Sequence, residues 1–594
     1  MGAGGLGAGE GRGAAGVWGG GGAVFASGAP QGAPTSATRA DVVLDRADNA
    51  FSQVDVAARS AVLRDADGFV LSSADLTGDL SIGQGAPQAG PLALQDLDVD
   101  GAVSASAVGD VSAERISAGA LALTSTSGRA DLADIDAAIV TVDAALGGAI
   151  ADAVFTQADV TAGAEAVLSQ VAGETLVVGA GAEARISDAA VTGAAMVSAA
   201  GETVVERSTF GSLGVDAGGA VAGSDLVVEG DADLAAGAGL SLLRSTVGGA
   251  LTADATGDIE LTDVEANALT ATAKGALTGT RIDVAAAAEL SSGTTMSLTT
   301  LTARSLAMTS GGASSLTDGV VAEALTAASG GAFALTDVEA GNLEAAIADG
   351  DASLARVAVE TDLSVDVAAG GLAAEDVSVG RDASTSASGG TTWLRGGVVG
   401  SAVVSTGMDL SVEAADFGTI DASSGGDAVL TDVVAGTASG ASGADLTLTD
   451  VTITSAMFTA GGVTTVTGSD IGAGVFDGVG DVFVSQHSGD ALTVSTEGAL
   501  ALSDLAVTTL SATADLDAAL LRATAQDATV SAGRDVRIEA SSLTAAMVDA
   551  GRDAVFLDHQ GGTLSTTTGG SLPVAGPRLP MWRRPASRRR RSAP

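Results

Sequence analysis

The chain has 594 residues and a formal net charge of -46, which disfavours nucleic acid or anionic lipid as a partner. It has no cysteine, which excludes disulfides and thiolate metal sites. Hydrophobic residues make up 46% of the sequence and aromatic residues only 2%, so the chain is too apolar for a disordered protein and too poor in large side chains for an ordinary globular core. No apolar run approaches the roughly 18 residues of a membrane span.

Residues 1–40 are predicted to be a glycine-rich, low-complexity segment. They make a poor signal peptide, because they lack a basic cluster and glycine dilutes their apolar residues. We therefore expect either that the natural start lies upstream or that export is arranged differently. Gly2, Gly4 and Gly7 fit the pattern G-x-G-x-x-G, but no predicted strand precedes them, so we interpret this match as chance.

A glycine recurs every 18 to 20 residues along most of residues 41–570, which we predict to be one repeat array. Twenty-six intervals separate Gly90 from Gly569 when Asp515 is counted as one mark, so each repeat has about 18 residues. All nine prolines lie outside residues 92–572, as expected if nearly every backbone N–H in that range donates to a neighbouring coil. The period indicates one small supersecondary unit that is stacked many times.

Within a repeat, apolar and polar residues alternate with a period of two, and corners interrupt the alternation. Residues 446–449 and 451–454 alternate on either side of Asp450, which is the pattern of strand, corner and strand. Frequent glycine and β-branched residues oppose helical repeats. The sequence therefore predicts an all-β fold, a single-stranded parallel β-helix (β-solenoid) with about 18–20 residues per coil.

Two stretches carry a resemblance to a known family. Asn49-Ala-Phe51 is followed by AVLRDADGFVLSSADLTGDLSI, and a later stretch reads AGRDVRIEASSLTAAMVDAGRDAVFLD. Both resemble the repeats of filamentous-haemagglutinin-like exoproteins and large autotransporter passengers. The resemblance implies a right-handed parallel β-helix that is secreted or displayed on a bacterial outer surface, where it serves adhesion and depends on an outer-membrane export partner.

Histidine and tryptophan offer few candidate sites. His487 and His559 lie four coils apart, so they are not expected to share a catalytic or metal site, and we predict solvated corner histidines. Trp393 is the only tryptophan inside the array. The sequence does not decide which way it faces, and packing is favoured over sugar binding because a single ring is a weak platform.

Aspartate pairs suggest a calcium hypothesis. Asp318 and Asp337, like Asp432 and Asp450, follow their glycines by seven residues in adjacent coils, so each pair would stack about 5 Å apart. Two carboxylates at such a short distance either share a proton or bind a cation. We favour the interpretation that these are solvated carboxylates in turns, whose mutual repulsion is screened by salt. We assign no metal or cofactor residue.

Thr447/Thr449 and Thr452/Thr454 resemble the Thr-x-Thr pairs of ice-binding solenoids. They do not recur at one corner in coil after coil, so ice binding is a remote option. The coils are uniformly short, and no insertion is large enough to wall a cleft. We therefore predict that the chain is not an enzyme and assign no catalytic residue.

Residues 571–594 form a basic, proline-rich tail that we predict to be disordered. The tail has seven arginines and no acidic residue, so the rest of the chain carries a formal charge of -53. Two interpretations stay open. The tail is either a flexible arm that binds an anionic surface polymer or the acidic face of the array, or the product of a frameshift that truncated a longer adhesin.

Together with what the resemblance implies, the sequence leads us to expect a noncatalytic, rod-like bacterial adhesin, or a stalk segment of one, that is secreted or displayed on the cell surface. Its partner would be a host or bacterial surface macromolecule, protein or glycan, bound through the solenoid exterior. No nucleic acid, cofactor or membrane span is expected. The alternatives are a β-helix polysaccharide lyase or hydrolase of the tailspike kind, and a purely structural surface filament.

Overall fold

The computed structural model describes residues 15–19, 22–26, 41–45, 51, 53–83 and 85–575. Every regular element in these ranges is a β-strand, and parallel strands stack as a β-solenoid of about 29 turns with about 18 residues per turn. This confirms the all-β parallel solenoid predicted from the glycine period. Gly2, Gly4, Gly7 and Asn49 lie outside the described residues, as does the basic tail beyond residue 575.

The chain divides into two compact units, Met1–Ser292 and Gly293–Pro594. The strands of unit 1 are β1 (Ala15–Gly19), β2 (Gly22–Ala26), β3 (Val42–Leu44), β4 (Gln53–Ala58), β5 (Ala61–Leu63), β6 (Phe69–Leu76), β7 (Leu80–Ile82), β8 (Leu92–Ala107), β9 (Val111–Ser125), β10 (Ala130–Ala144), β11 (Gly148–Val154), β12 (Gln157–Ala162), β13 (Ala166–Gly173), β14 (Thr175–Ala180), β15 (Ala184–Ser187), β16 (Ala190–Ala199), β17 (Thr203–Glu206), β18 (Thr209–Ala217), β19 (Val221–Ser224), β20 (Val227–Val228), β21 (Ala232–Ala236), β22 (Leu240–Ala255), β23 (Ile259–Ala273) and β24 (Leu277–Ser292).

The strands of unit 2 are β25 (Met296–Ser310), β26 (Ser314–Ser329), β27 (Phe333–Ile347), β28 (Ala352–Val359), β29 (Leu363–Val367), β30 (Leu372–Glu375), β31 (Ser378–Ala387), β32 (Thr392–Arg395), β33 (Val398–Thr406), β34 (Leu410–Glu413), β35 (Asp416–Ser424), β36 (Ala428–Thr431), β37 (Val434–Ser442), β38 (Leu446–Thr449), β39 (Thr452–Ala460), β40 (Thr464–Thr467), β41 (Asp470–Gly478), β42 (Val482–Thr496), β43 (Leu500–Ala514), β44 (Ala518–Leu521), β45 (Thr524–Ala532), β46 (Val536–Glu539), β47 (Ser542–Ala550), β48 (Ala554–Leu557), β49 (Gln560–Thr568) and β50 (Val574–Ala575).

Each regular coil has three sides and three corners, as β23 in unit 1 illustrates. Residues 259–262 form its first side, 264–266 its second side and 269–273 its third side, with inward residues buried at every second position. Asp263 separates the first two sides with a φ of 55°, and we call this position the αL corner. The pairing register shifts between the second and third sides, at the bulge corner. Gly257 and Gly275 lie at the glycine corner, which links one coil to the next.

The core is a set of inward columns in which each coil places one residue above the equivalent residue of the coil before it. In unit 2, Leu500 pairs with Ala518, which is followed in the same column by Val536 and Ala554. Large and small side chains alternate along this column, so the narrow interior is filled without many aromatic rings. Burying one Val or Leu side chain stabilises the fold by about 1.5–3 kcal/mol, and the gain recurs in every coil.

Close approach of successive coils explains the glycine period. A Cβ atom at Gly461 would lie 2.3 Å from the carbonyl oxygen of Gly443, and one at Gly551 would lie 2.0 Å from that of Gly533. Neither glycine has a positive φ, so the requirement is for space and not for a left-handed backbone. The recurring glycine therefore marks a corner where a Cβ atom would clash at these positions, although Val479, Glu497 and Asp515 occupy the equivalent position in the coils between Gly461 and Gly533.

The αL corner is occupied by 24 non-glycine residues, whose φ angles lie between 46° and 58°. Aspartate is the commonest of them, as expected because its short polar side chain tolerates a left-handed backbone better than most. In unit 1 these residues are Asp96, Arg115, Asp134, Asp152, Gln170, Asp188, Arg207, Asp225, Arg244, Asp263 and Arg281; in unit 2 they are Thr300, Asp318, Asp337, Arg356, Asp376, Ala414, Asp432, Asp450, Gln486, Asp504, Arg522, Ala540 and Asp558.

The N-terminal edge of unit 1 is covered by a hairpin. β1 and β2 pair in antiparallel register, and β2 pairs in antiparallel register with β4, so that Ala23 lies opposite Ala57. From β4 onwards the pairing between coils is parallel. An open strand edge is a template for pairing with other chains, and the hairpin occupies this one.

Candidate functional site

The two histidines are buried, and the prediction of solvated corner histidines was wrong. His487 is 1% exposed and His559 is 5% exposed, and each directly follows an αL-corner residue. That position is the first inward one of the second side, and Leu505 occupies it in the coil after His487. The structure therefore places both rings in the interior of the stack.

Burial sets the protonation state of both histidines. Desolvation lowers the pKa of His487, and a hydrogen bond with the backbone carbonyl of Ser469, at 3.1 Å from Nδ1, opposes this only in part. Desolvation likewise lowers the pKa of His559. Nε2 of His487 and Nδ1 of His559 have no hydrogen-bond partner. Both rings are therefore neutral near pH 7, and the four-coil separation keeps them from forming one site.

The four aspartates of the calcium hypothesis all lie at the αL corner, where Asp318 and Asp337 occupy adjacent coils, as do Asp432 and Asp450. Arg356 in the next coil binds Asp337 with two hydrogen bonds of 2.5 and 2.6 Å and lowers the pKa of that carboxyl group. Within the described ranges, no group of three or more His, Cys, Asp or Glu residues could hold a metal ion. The structural role of these aspartates is thus to adopt the left-handed backbone of the corner.

An ion pair recurs at the αL corner, and it was not predicted from the sequence. In each instance an arginine donates from Nε and Nη2 to both carboxylate oxygens of the aspartate in the preceding coil, and the guanidinium lowers the pKa of that aspartate. Both partners are about one-third exposed or more, so each pair adds little stability. The pairs are Asp96–Arg115, Asp188–Arg207, Asp225–Arg244, Asp263–Arg281, Asp337–Arg356 and Asp504–Arg522.

A second set of aspartates caps the glycine corner, and this too was missed. Oδ1 of Asp409 accepts a hydrogen bond from the backbone N–H of Asp427 at 3.0 Å, and Asp427 accepts one from Asp445 at 3.0 Å. Asp445 in turn accepts one from Val463 at 2.7 Å. The spacing of an aspartate one or two residues after the corner glycine is the signal that could have revealed it. Many acidic residues of the chain therefore have a structural role.

Trp393 lies on the outside of the stack. It occupies an outward position on the first side, next to buried Thr392, and its strand neighbours in the adjacent coils are Ala373 and Ser411. The ring is half-buried on the surface and does not belong to the core. A single half-buried ring is a small platform for a sugar.

The prediction that Thr-x-Thr pairs do not recur in coil after coil is confirmed: Thr447/Thr449 stack on Thr465/Thr467, but Val429 and Phe483 replace the first threonine in the coils on either side. Single threonines do recur in one column. Thr431, Thr449 and Thr467 stack at the last outward position of the first side, and Ser485 and Ser503 continue the column. All five side chains are half-buried beside the αL corner. The pairs compared in the sequence lie on different sides of the coil, because the αL corner separates the first side from the second. The column is thus one residue wide and partly shielded.

Near the N-terminal end of unit 1, the residues of the quoted family motif pack against one another. The backbone N–H of Phe51 donates to the buried carboxylate of Asp65, and Gln88 makes two hydrogen bonds to the Asp65 backbone. The rings of Phe51 and Phe69 meet edge to face, with their centroids 6.0 Å apart. The motif therefore builds a packed polar corner in a coil that a neighbouring loop lengthens.

A shallow groove of about 490 Å3 crosses the second side of unit 2. Its floor consists of the outward residues of the second side in five successive coils, and the bulge corners form one wall. We call it the second-side groove. The floor residues are Val320, Glu339, Ala358, Ser378 and Val398, and Gly341, Glu360 and Gly380 line the wall.

No protein-family model matches the chain, and neither the curated proteins nor the solved structures include a match. The stacked parallel strands define the protein as a parallel β-solenoid. Among the described residues, none forms a helix that is long and apolar enough to cross a membrane. The resemblance to filamentous-haemagglutinin-like repeats rests on the quoted residues alone.

Proposed function

We propose that the protein is a noncatalytic bacterial adhesin, or a stalk segment of one, that is secreted or displayed on the outer cell surface. It binds a host or bacterial surface macromolecule through the outward side chains of its coils. The observation that carries the proposal is the stacking of coils in register, which turns each outward position into a column of exposed side chains.

Coil length supports a binding role over catalysis. Equivalent residues of neighbouring coils are 18 residues apart in Leu446 and Thr464 and 20 apart in Leu343 and Leu363. The largest offset in these pairings, 23 residues between Leu80 and Val103, adds only a short loop. Cleft-forming loops of the kind that enclose a polysaccharide would need longer insertions.

Charge narrows the class of partner. The formal net charge of -46 repels nucleic acid and anionic membranes and favours neutral or cationic surfaces. This net charge already includes the arginines of the αL corner, since the chain has 73 acidic and 27 basic residues. Binding to the partner should therefore weaken as salt is added if the contact is electrostatic.

The test is a binding measurement with the full chain against a panel of host matrix proteins and bacterial surface glycans. Each mixture is also analysed for soluble products released from the glycans. The proposal predicts saturable binding to at least one macromolecule without product release. Product release would identify a lyase or hydrolase, and the absence of binding across the panel would favour a structural filament.

A further inference from the structure

The second-side groove is apolar at both ends and acidic between them. Val320 at one end is 46% exposed and Val398 at the other is 60% exposed, although both are large apolar side chains. Ala358 and Ser378 keep the middle of the floor shallow, and the glycines of the wall add no side chain. A concave surface that is lined mostly by apolar groups and carries a few charged ones is typical of a binding site.

Two carboxylates of the groove are uncompensated. Asp337 and Asp362, next to the groove, are paired with Arg356 and Arg381. Glu339 and Glu360, which line it, have no ion pair among the described residues, and the strand neighbour of Glu339 is Ala358, two residues before Glu360. The spacing of strands and residues puts the Cα atoms of these two glutamates about 8 Å apart. One cationic side chain can reach both.

The dimensions fit a short extended peptide. Four coil steps separate Val320 from Val398, which is about 19 Å at 4.8 Å per step. Seven extended residues span the same length at about 3.3 Å per residue. The backbone groups of the floor already pair between coils, as between Val320 and Glu339, so recognition depends on side chains and not on strand addition.

We propose that the second-side groove binds an extended polypeptide segment of a partner protein, in which a lysine or arginine lies between two valine-sized residues six positions apart. The apolar residues cover Val320 and Val398, and the cation lies between Glu339 and Glu360. Among the residues that the structure describes, no aromatic side chain lines the groove, which leaves it without a platform on which a sugar ring stacks. This inference rests on the proposed binding function and names its partner class.

The test uses the peptide Val-Ser-Lys-Ser-Ser-Ser-Val with a fluorescent label, and the same peptide with Glu in place of Lys. Fluorescence anisotropy with the full chain at low salt should show saturable binding of the lysine peptide only. The double variant E339Q/E360Q should bind it about fivefold more weakly, because two exposed charge pairs are lost. The matched control E344Q/E497Q removes two exposed carboxylates elsewhere in unit 2 and should bind like the unmodified chain.

Three results would overturn the inference: no saturable binding of the lysine peptide, equal binding of the glutamate peptide, or equal weakening by both double variants. Displacement of the bound peptide by a neutral glycan would assign the groove to carbohydrate instead. The panel experiment separates this inference from the proposed function. Binding to a panel macromolecule without peptide binding would refute only the inference about the groove. Peptide binding without binding to any panel macromolecule would refute only the proposed adhesin function.

Discussion

At the scale of single residues, the corners of the coil impose the strictest demands on the sequence. At Gly461 and Gly551 the glycine corner leaves no space for a Cβ atom, and the αL corner requires a left-handed backbone that aspartate tolerates better than β-branched residues do. The sides of the coil demand only that inward residues be apolar and fit the column. Substitutions should therefore be costly at corners and tolerated at outward positions of the sides.

Two glycines of unit 1 that are two residues apart test the space requirement. A Cβ atom at Gly181 would lie 2.0 Å from the carbonyl oxygen of Gly163, whereas one at Gly179 would meet nothing closer than 3.8 Å. We expect Gly181→Ala to destabilise the protein by about 1–3 kcal/mol. Gly179→Ala should leave stability unchanged or raise it by up to about 1 kcal/mol. Urea unfolding followed by circular dichroism measures both, and equal midpoints would contradict the explanation.

Buried His487 should make the stability of unit 2 depend on pH. Because burial lowers its folded-state pKa, the unfolded chain binds the proton more readily, and stability is complete above a pH of about 6.5 and falls as the pH drops below it. The loss is at most about 1.4 kcal/mol per pH unit for one histidine. His487→Leu should flatten the fall in melting temperature between pH 7.5 and pH 5.5, since Leu505 fills the same position in the next coil. Identical slopes for both proteins would refute this.

The burial of the histidines also shows why sequence reasoning failed there. Counted from its glycine, His487 has the same offset of seven residues as Asp450, which lies at the αL corner. In the coil of His487 the αL residue is Gln486, one position earlier. A shift of one residue moves a side chain from the outside of a strand to the inside. The equivalent of Gly443 in the coil of His487 is Val479, so the glycine counted there, Gly480, lies one position later, and the offset from glycine cannot decide whether a side chain points inward.

At the scale of elements, the αL corner joins the first and second sides in coil after coil and carries the ion-paired column. The column alternates aspartate and arginine in six places, so that each guanidinium binds the carboxylate of the coil before it. Glycine occupies the same corner at Gly468, with a φ of 66°. The backbone conformation is therefore the fixed property of the element, and the side chain is variable.

Substitutions at Asp450 test whether the αL corner depends on its backbone conformation and not on the side chain. Its φ is 53°, and the next coil has Gly468 at the equivalent corner. Asp450→Gly should be neutral or mildly stabilising, because glycine adopts a left-handed backbone freely. Asp450→Val should cost at least about 1–2 kcal/mol, because the branched Cβ crowds the following carbonyl. Thermal unfolding of the two variants gives the comparison, and a glycine variant as unstable as the valine variant would show that the carboxylate matters more than the backbone.

At the scale of the whole molecule, the coil is the repeating structural unit. The sequence predicted the coil length, the parallel β-solenoid and the glycine corner. It did so because successive coils pack closely and require glycine at regular intervals, as at Gly443 and Gly461. The second-side groove was not predictable, because it arises from the outward residues of five coils that are 18 to 20 positions apart and share no motif. Its acidic character appears only once Glu339 and Glu360 are brought to one surface.

The most direct test of the stacked coil is the deletion of a whole one, away from the groove. Val482 pairs with Leu500, and Leu500 pairs with Ala518, so deleting residues 500–517 would place Ala518 on Val482 with every column in register. Deleting residues 500–508, half a coil, would instead exchange the inward and outward positions. The measurement is the melting temperature of each variant by circular dichroism. The account predicts a value within a few degrees of the full chain for the whole-coil deletion and a much lower one for the half-coil deletion; equal losses would contradict it.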